Sequence, residues 1–355
     1  MSDISTSSSG QARSSRPLVR GALVAIFLVL ALLLAGILFL RQQLAPIDAS
    51  AAQATEFEIL PGWGASRVAR ELAEADLVRN ARFFSLWLRY EGTDTQIGEG
   101  LYDLSPAMSA HEIAEALEAG GRPRVTSVTI PEGFRSVRVA ARLAEAGFGE
   151  ETALIQTILS PSELRPSYVP EGVGLEGYLF PASYEFPINS TASDVLNIMV
   201  QRFERELTPE IRTELEALDL SVHEWVTLAS IIQAEAGNHE EMPIISGVFL
   251  NRLDEGMPLQ SDPTVAYGLG KRLPELDRGA GDFEAEHPWN TYVQAGIPPS
   301  PIGNPGQAAL QAVLTPQRLN ADSELYFYFL HGRGGEFRPN VTFEAHNRDI
   351  QEFLR

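Results

Sequence analysis

Residues 59–75 read ILPGWGASRVARELAEA, and residues 129–146 read TIPEGFRSVRVAARLAEA. The same unit is used twice. A short β-branched segment runs into a Pro/Gly turn with an aromatic residue, Trp63 or Phe134, and then into a helical pattern. Val68 and Leu72 in one copy, Val139 and Leu143 in the other, stand at i, i+4 spacing and mark the buried stripe of a helix. Two strand-turn-helix units predict neighbouring pieces of one small α/β region over 56–150. Between them, Phe83-Phe84-Ser85-Leu86-Trp87-Leu88 continues a helical pattern and Gly98–Leu104 alternates like a strand. Trp63 and Phe134 suit either plain core packing or contact with a ligand.

Upstream, Gly21–Leu40 (GALVAIFLVLALLLAGILFL) carries no charge. At about 1.5 Å per residue its length reaches about 30 Å, one hydrocarbon core. Arg13, Arg16 and Arg20 precede it and only Arg41 follows closely, which places the polar, Ser-rich residues 1–20 in the cytoplasm as a disordered tail and the rest outside. A cleaved signal peptide is the alternative: its apolar region runs about 7–15 residues, and Ala52-Gln53-Ala54 resembles a cleavage site. Residues 41–55 read as a linker.

Beyond about residue 150 the texture changes. Helical patterns at 151–160, 192–217 and 222–236 alternate with segments rich in Pro, Gly and Asn, and 253–306 has little periodicity but many turn residues. A stretch of that kind in a compact domain is a functional loop region. The expected fold class is therefore α+β, with one N-terminal transmembrane helix, a small α/β region at 56–150, and a larger α+β domain with long loops at 151–355. The chain has 27 basic and 47 acidic side chains, net −20, which disfavours nucleic acid and anionic lipid headgroups. It has no cysteine, so thiol chemistry and disulfides are excluded.

Metal and cofactor chemistry finds little support. There is no H-E-x-x-H, and His239-Glu240-Glu241 reads as a solvated charged run because adjacent side chains point apart. Gly332–Gly335 lacks the strand-helix setting of a phosphate loop, and no G-x-S-x-G elbow is present. Carboxylate chemistry is left. In Trp225–Ala236 (WVTLASIIQAEA), Leu228, Ile231 and Ile232 fall seven, four and three residues before Glu235, so its carboxylate extends the apolar stripe of a helix. Such desolvation raises a carboxyl pKa, as a general acid requires; a salt-bridged helix-terminal Glu is the plainer reading.

The string Leu228–Glu235, followed by Val248–Leu253 and Met257–Thr264, resembles the YceG-like endolytic murein transglycosylases. Leu175–Pro181 with Tyr184, Asn290–Tyr292, Gly296–Pro299, Asn304–Gly306 and His346-Asn347 match in family order. The resemblance implies a membrane anchor, a LysM-like region and a catalytic domain, with Glu235 as the catalytic acid. Gln233 stands where many relatives carry a second Glu, and Glu336 where relatives often carry a His. It further implies cleavage of the β-1,4 bond between N-acetylmuramic acid and N-acetylglucosamine, leaving 1,6-anhydro ends. The implied partners are peptidoglycan glycan strands, the inner membrane and peptidoglycan synthases, with neither cofactor nor metal. Asn251, Gln260, Ser261, Asp262, Thr264, Tyr267, Asn290, Tyr292 and Glu176 are the residues expected to bind substrate. Their plainer readings are caps and turns at Asn290 and Asp262-Pro263, a supporting role for Glu176, and pairing of Arg252 with a helix carboxylate. A noncatalytic glycan binder and a hydrolase of the same bond stay open as alternatives.

Overall fold

A computed structural model describes residues 16–354 and divides the chain into two compact units, 1–124 and 125–355. The first begins with helix α1 (Arg16–Leu44), apolar and exposed over Val24–Leu40. Most of the predicted tail lies outside the described residues. Strand β1 (Thr55–Ile59), helices α2 (Ala65–Glu74) and α3 (Ala81–Glu91), strand β2 (Gly100–Leu104) and helix α4 (Ala110–Ala119) complete the unit. β1 and β2 pair antiparallel, Phe57 opposite Tyr102.

The second unit opens with β3 (Val125–Thr129), α5 (Ser136–Glu145), α6 (Glu151–Leu159) and β4 (Ser183–Pro187). β3 pairs antiparallel with β4, Val128 opposite Tyr184. The repeat therefore runs deeper than a strand-turn-helix: each copy is a β-α-α-β unit that closes on its own two-stranded sheet. It also divides differently from the expected single region, because each copy finds its sheet partner downstream and the second copy belongs to the second unit. In both copies the equivalent stripe is fully buried, Val68, Ala69 and Leu72 in one and Val139, Ala140 and Leu143 in the other. Both aromatics hold an arginine four residues on: the Arg67 guanidinium lies 4.4 Å from the Trp63 ring and that of Arg138 3.9 Å from Phe134.

Next come α7 (Ala192–Glu204), α8 (Pro209–Ala217), α9 (Val222–Glu235), α10 (Met242–Asp254), α11 (Asp262–Gly268), α12 (Gln307–Leu314), strands β5 (Tyr328–His331) and β6 (Phe337–Asn340), and α13 (Phe343–Phe353). The single helix expected over 192–217 is two. Pro209 has no N–H to continue a helix and sits instead in the first turn of α8, where Thr208 caps the backbone of Ile211. The loop region 253–306 is largely irregular, broken by α11 and two short 3-10 turns. At the centre of the second unit's core is α9, every residue of which from Trp225 to Ile232 is buried. The Trp225 indole N–H donates to the Leu310 carbonyl of α12 at 2.8 Å. Gly177, in the turn before β4, has φ +91, and a Cβ there would meet Pro301 at 2.5 Å and Val226 of α9 at 2.9 Å. Only glycine lets that turn rest on the central helix.

Candidate active site

Because α9 is buried on every side from Trp225 to Ile232, its last turn emerges where its neighbours end. Glu235 sits there, half-buried, on the wall of a cleft of about 500 Å³, a size suited to one or two sugar rings. The Ser261 hydroxyl donates to Glu235 Oε1 at 2.6 Å. Burial pushes the Glu235 carboxyl up to about 7, the Ser261 hydrogen bond and the Arg252 charge partly opposing and nearby Asp262 reinforcing it. Gln233 is committed elsewhere, accepting from the Gly306 N–H at 2.9 Å.

Ser261 is itself held from both sides. Its N–H donates to Thr291 Oγ1 at 2.9 Å, while Thr264 Oγ1 donates to the Ser261 carbonyl at 2.6 Å and lies 2.9 Å from Thr291 Oγ1. Gln260 precedes it with φ +53, a left-handed backbone uncommon for a side-chain-bearing residue, and its N–H donates to the Thr291 carbonyl at 3.0 Å. Asp262 begins α11, and its Oδ1 accepts the Tyr292 hydroxyl at 2.5 Å. Gln260, Asp262 and Tyr292 line the cleft with Glu235, and Ser261 touches the carboxylate from behind.

The other expected binding residues lie elsewhere. Asn251 is buried and fully used by backbone and by Arg318, its amide donating to the carbonyls of Arg318 and Tyr326. Asn290 is equally buried, and its side chain ties Phe283, Ala285 and the Tyr292 N–H into one loop. Thr264 has no exposed surface. These three shape the wall rather than face the cleft, since a buried polar side chain whose bonds are filled has none left for a ligand. Tyr267 and Glu176 line a second, smaller pocket with Arg135 and Ser136. There Glu176 accepts from the N–H and hydroxyl of Ser136 at 2.9 Å, capping the start of α5, and burial pushes its carboxyl up to about 7 against those bonds. Among the described residues Arg252 pairs with no carboxylate: its guanidinium donates to the carbonyls of Phe327 and Leu259 at 2.7 and 2.8 Å.

The opposite wall comes from Tyr328, Phe329, Leu330 and His331 of β5 and from Phe343 and His346 of α13. Of these only His346 carried a signal, in the His346-Asn347 motif. The His346 ring stacks on Tyr328, and burial and the Arg252 charge lower its pKa, keeping it neutral. Glu241 is no part of a solvated run. It is buried and bonded to His331 Nε2 at 2.8 Å and to the Gly237 N–H at 2.7 Å. Burial alone would raise its pKa, but these bonds outweigh it and hold the carboxylate ionised.

This arrangement offers a carboxyl able to hold a proton near neutral pH, a bound hydroxyl orienting it, and aromatic walls opposite. Residues 57–352 match the YceG-like family. An endolytic murein transglycosylase of Bacillus subtilis is 28% identical over 331 residues, covering 89% of both chains. One from Streptococcus pneumoniae is also 28% identical, over 95% of this chain and 66% of its own length. The crystal structure of a YceG-like protein from Listeria monocytogenes superposes with a TM-score of 0.54 at 30% identity, over 83% of this chain and 98% of that one. Sequence match and superposition agree, and the chain belongs to the YceG-like family.

Proposed function

We propose that this protein is an endolytic murein transglycosylase, anchored by α1 in the plasma membrane with residues 1–20 in the cytoplasm and the chain beyond α1 outside it. Membership of the family, the transglycosylase relatives and the cleft around Glu235 support it. The single observation that carries the mechanism is the half-buried Glu235 carboxyl, pushed up to about 7 and held by Ser261. A carboxyl in that state donates its proton to the glycosidic oxygen between N-acetylmuramic acid and N-acetylglucosamine, and the bond to C1 breaks. The positive charge developing at C1 is met by the substrate's own N-acetyl group. Glu235, now ionised, takes the proton of the muramoyl 6-hydroxyl as that oxygen closes on C1, giving a 1,6-anhydro end and consuming no water.

Gln260, Asp262 and Tyr292 hold the sugar from one side, and Tyr328 and Phe343 supply ring faces from the other. The β-α-α-β order and antiparallel strands of 55–104 support reading that stretch as a LysM-like module that grips glycan. One feature favours a second reading. Asp262 shares the cleft with Glu235, and glycoside hydrolases use two carboxylates. Mass analysis of products from purified glycan strands separates the two, because hydrolytic ends are heavier by one water than anhydro ends. Anhydro ends from the natural chain, and none from Glu235→Gln, are the expected result; reducing ends would overturn the transglycosylase mechanism.

A further inference from the structure

Three arginines of the first unit surround one shallow hollow between α2 and α3: Arg70, Arg82 and Arg89, with Ser66 and Ser85 bridging at 3.2 Å. In a chain of net charge −20, none of the three has an ion-pair partner among the described residues, whereas neighbouring Arg67 is paired with Glu71. Arg82, Leu86 and Arg89 follow at i, i+4 and i+7 and share one face of α3. Tyr90 adjoins that face. Leu86 is 63% and Tyr90 80% exposed, so large apolar groups stand in solvent among unpaired cations.

The position of this face identifies what covers it. Phe83, next to Arg82, meets Phe39 of α1 edge-on with ring centroids 6.4 Å apart. Phe39 lies near the outer end of the apolar stretch, and Leu44 at the end of α1 packs on the core of the same unit. Arg79 is fixed to the carbonyls of Pro46 and Ile47, so the unit is seated on α1 rather than hung from it.

We propose that the α2–α3 face lies on the membrane that α1 enters, with Arg70, Arg82 and Arg89 on the phosphates of anionic headgroups and Leu86 and Tyr90 among them. Basic side chains with adjoining aliphatic and aromatic groups are what an interfacial surface requires, and each basic group near an anionic leaflet strengthens attachment roughly fivefold. The overall acidity of the chain, which disfavours anionic lipid, is overridden locally by this cluster. The inference rests on α1 being a membrane span.

The chain contains no cysteine, so a nitroxide on Leu86→Cys reports one position, and one on exposed Glu115→Cys of α4 serves as reference. The full chain is reconstituted in vesicles of phosphatidylcholine alone or mixed with phosphatidylglycerol, and collision with a water-soluble nickel chelate is measured. In the mixed vesicles the Leu86 label should be several-fold better shielded than the reference. That shielding should fall in phosphatidylcholine alone and in the Arg70→Ala, Arg82→Ala, Arg89→Ala variant. Equal exposure of the two labels overturns the proposal. So does shielding that ignores lipid charge, or that arises only when soluble glycan strands are added, which would assign the face to glycan. If the triple variant melts early, the lipid comparison on the natural background decides. Release of the chain from vesicles by alkaline carbonate would remove the premise about α1 instead.

Discussion

The acid role proposed for Glu235 rests on neighbours that disagree about its charge. Burial and Asp262 favour the protonated form, while Ser261 and Arg252 favour the carboxylate. With the carboxyl up at about 7, the acid form needed for the first step is lost as pH climbs through neutrality. We expect kcat/KM for glycan cleavage to fall on that limb, and Ser261→Ala, which removes a bond to the anion, to move the limb to higher pH. The folded protein binds more protons than the unfolded chain between about pH 4.5 and 7, so Glu235 makes folding less favourable as pH rises across that window. Glu235→Gln should therefore lower activity by at least about 10²–10⁴-fold, yet raise the melting midpoint at pH 8 by about 2–4 °C. Activity retained by that variant would refute the role of Glu235. Its burial was legible in the sequence, since Leu228, Ile231 and Ile232 point along the same stripe. The Glu241–His331 pair was not, because its members are 90 residues apart and a carboxylate beside another carboxylate reads as solvated until its distant partner is known.

Among the elements, helices were read more surely than their partners. The stripe of α2 and α5 fixes each as an amphipathic helix, whereas β3 and β4 meet across 54 residues and an alternating pattern does not name the strand it pairs with. Of the β5 and α13 residues that build the wall opposite Glu235, only His346 left a mark in the sequence. The turn at Gly177 shows how a motif that reads as sequence-level resemblance has a packing cause. Gly177→Ala would force a left-handed backbone on a Cβ already overlapping Pro301 and Val226. We expect it to destabilise the second unit by about 2–4 kcal/mol in denaturant unfolding. An unchanged midpoint would show that the turn can shift away from α9.

At the scale of the whole molecule, the proposal ties chemistry to place. A chain beginning after Leu44 should cleave glycan strands in solution at a rate within about twofold of the full chain, since the cleft draws on residues 234–346 alone. Loss of cleavage in that shortened chain would mean that α1 contributes to the site itself. Residues 41–48, the first part of the expected linker, are pinned: α1 continues to Leu44, Arg79 grips Pro46 and Ile47, and the Asp48 N–H donates to the Pro106 carbonyl at 3.0 Å. A free tether would let the first unit roam a hemisphere whose radius grows with the square root of its length. This joint is a post with a fixed crown. With α1 spanning the bilayer as proposed, adding a few flexible residues at 45–51 would not extend its reach by degrees; it would first unseat the crown, turning a preset height above the membrane into a broad distribution of heights.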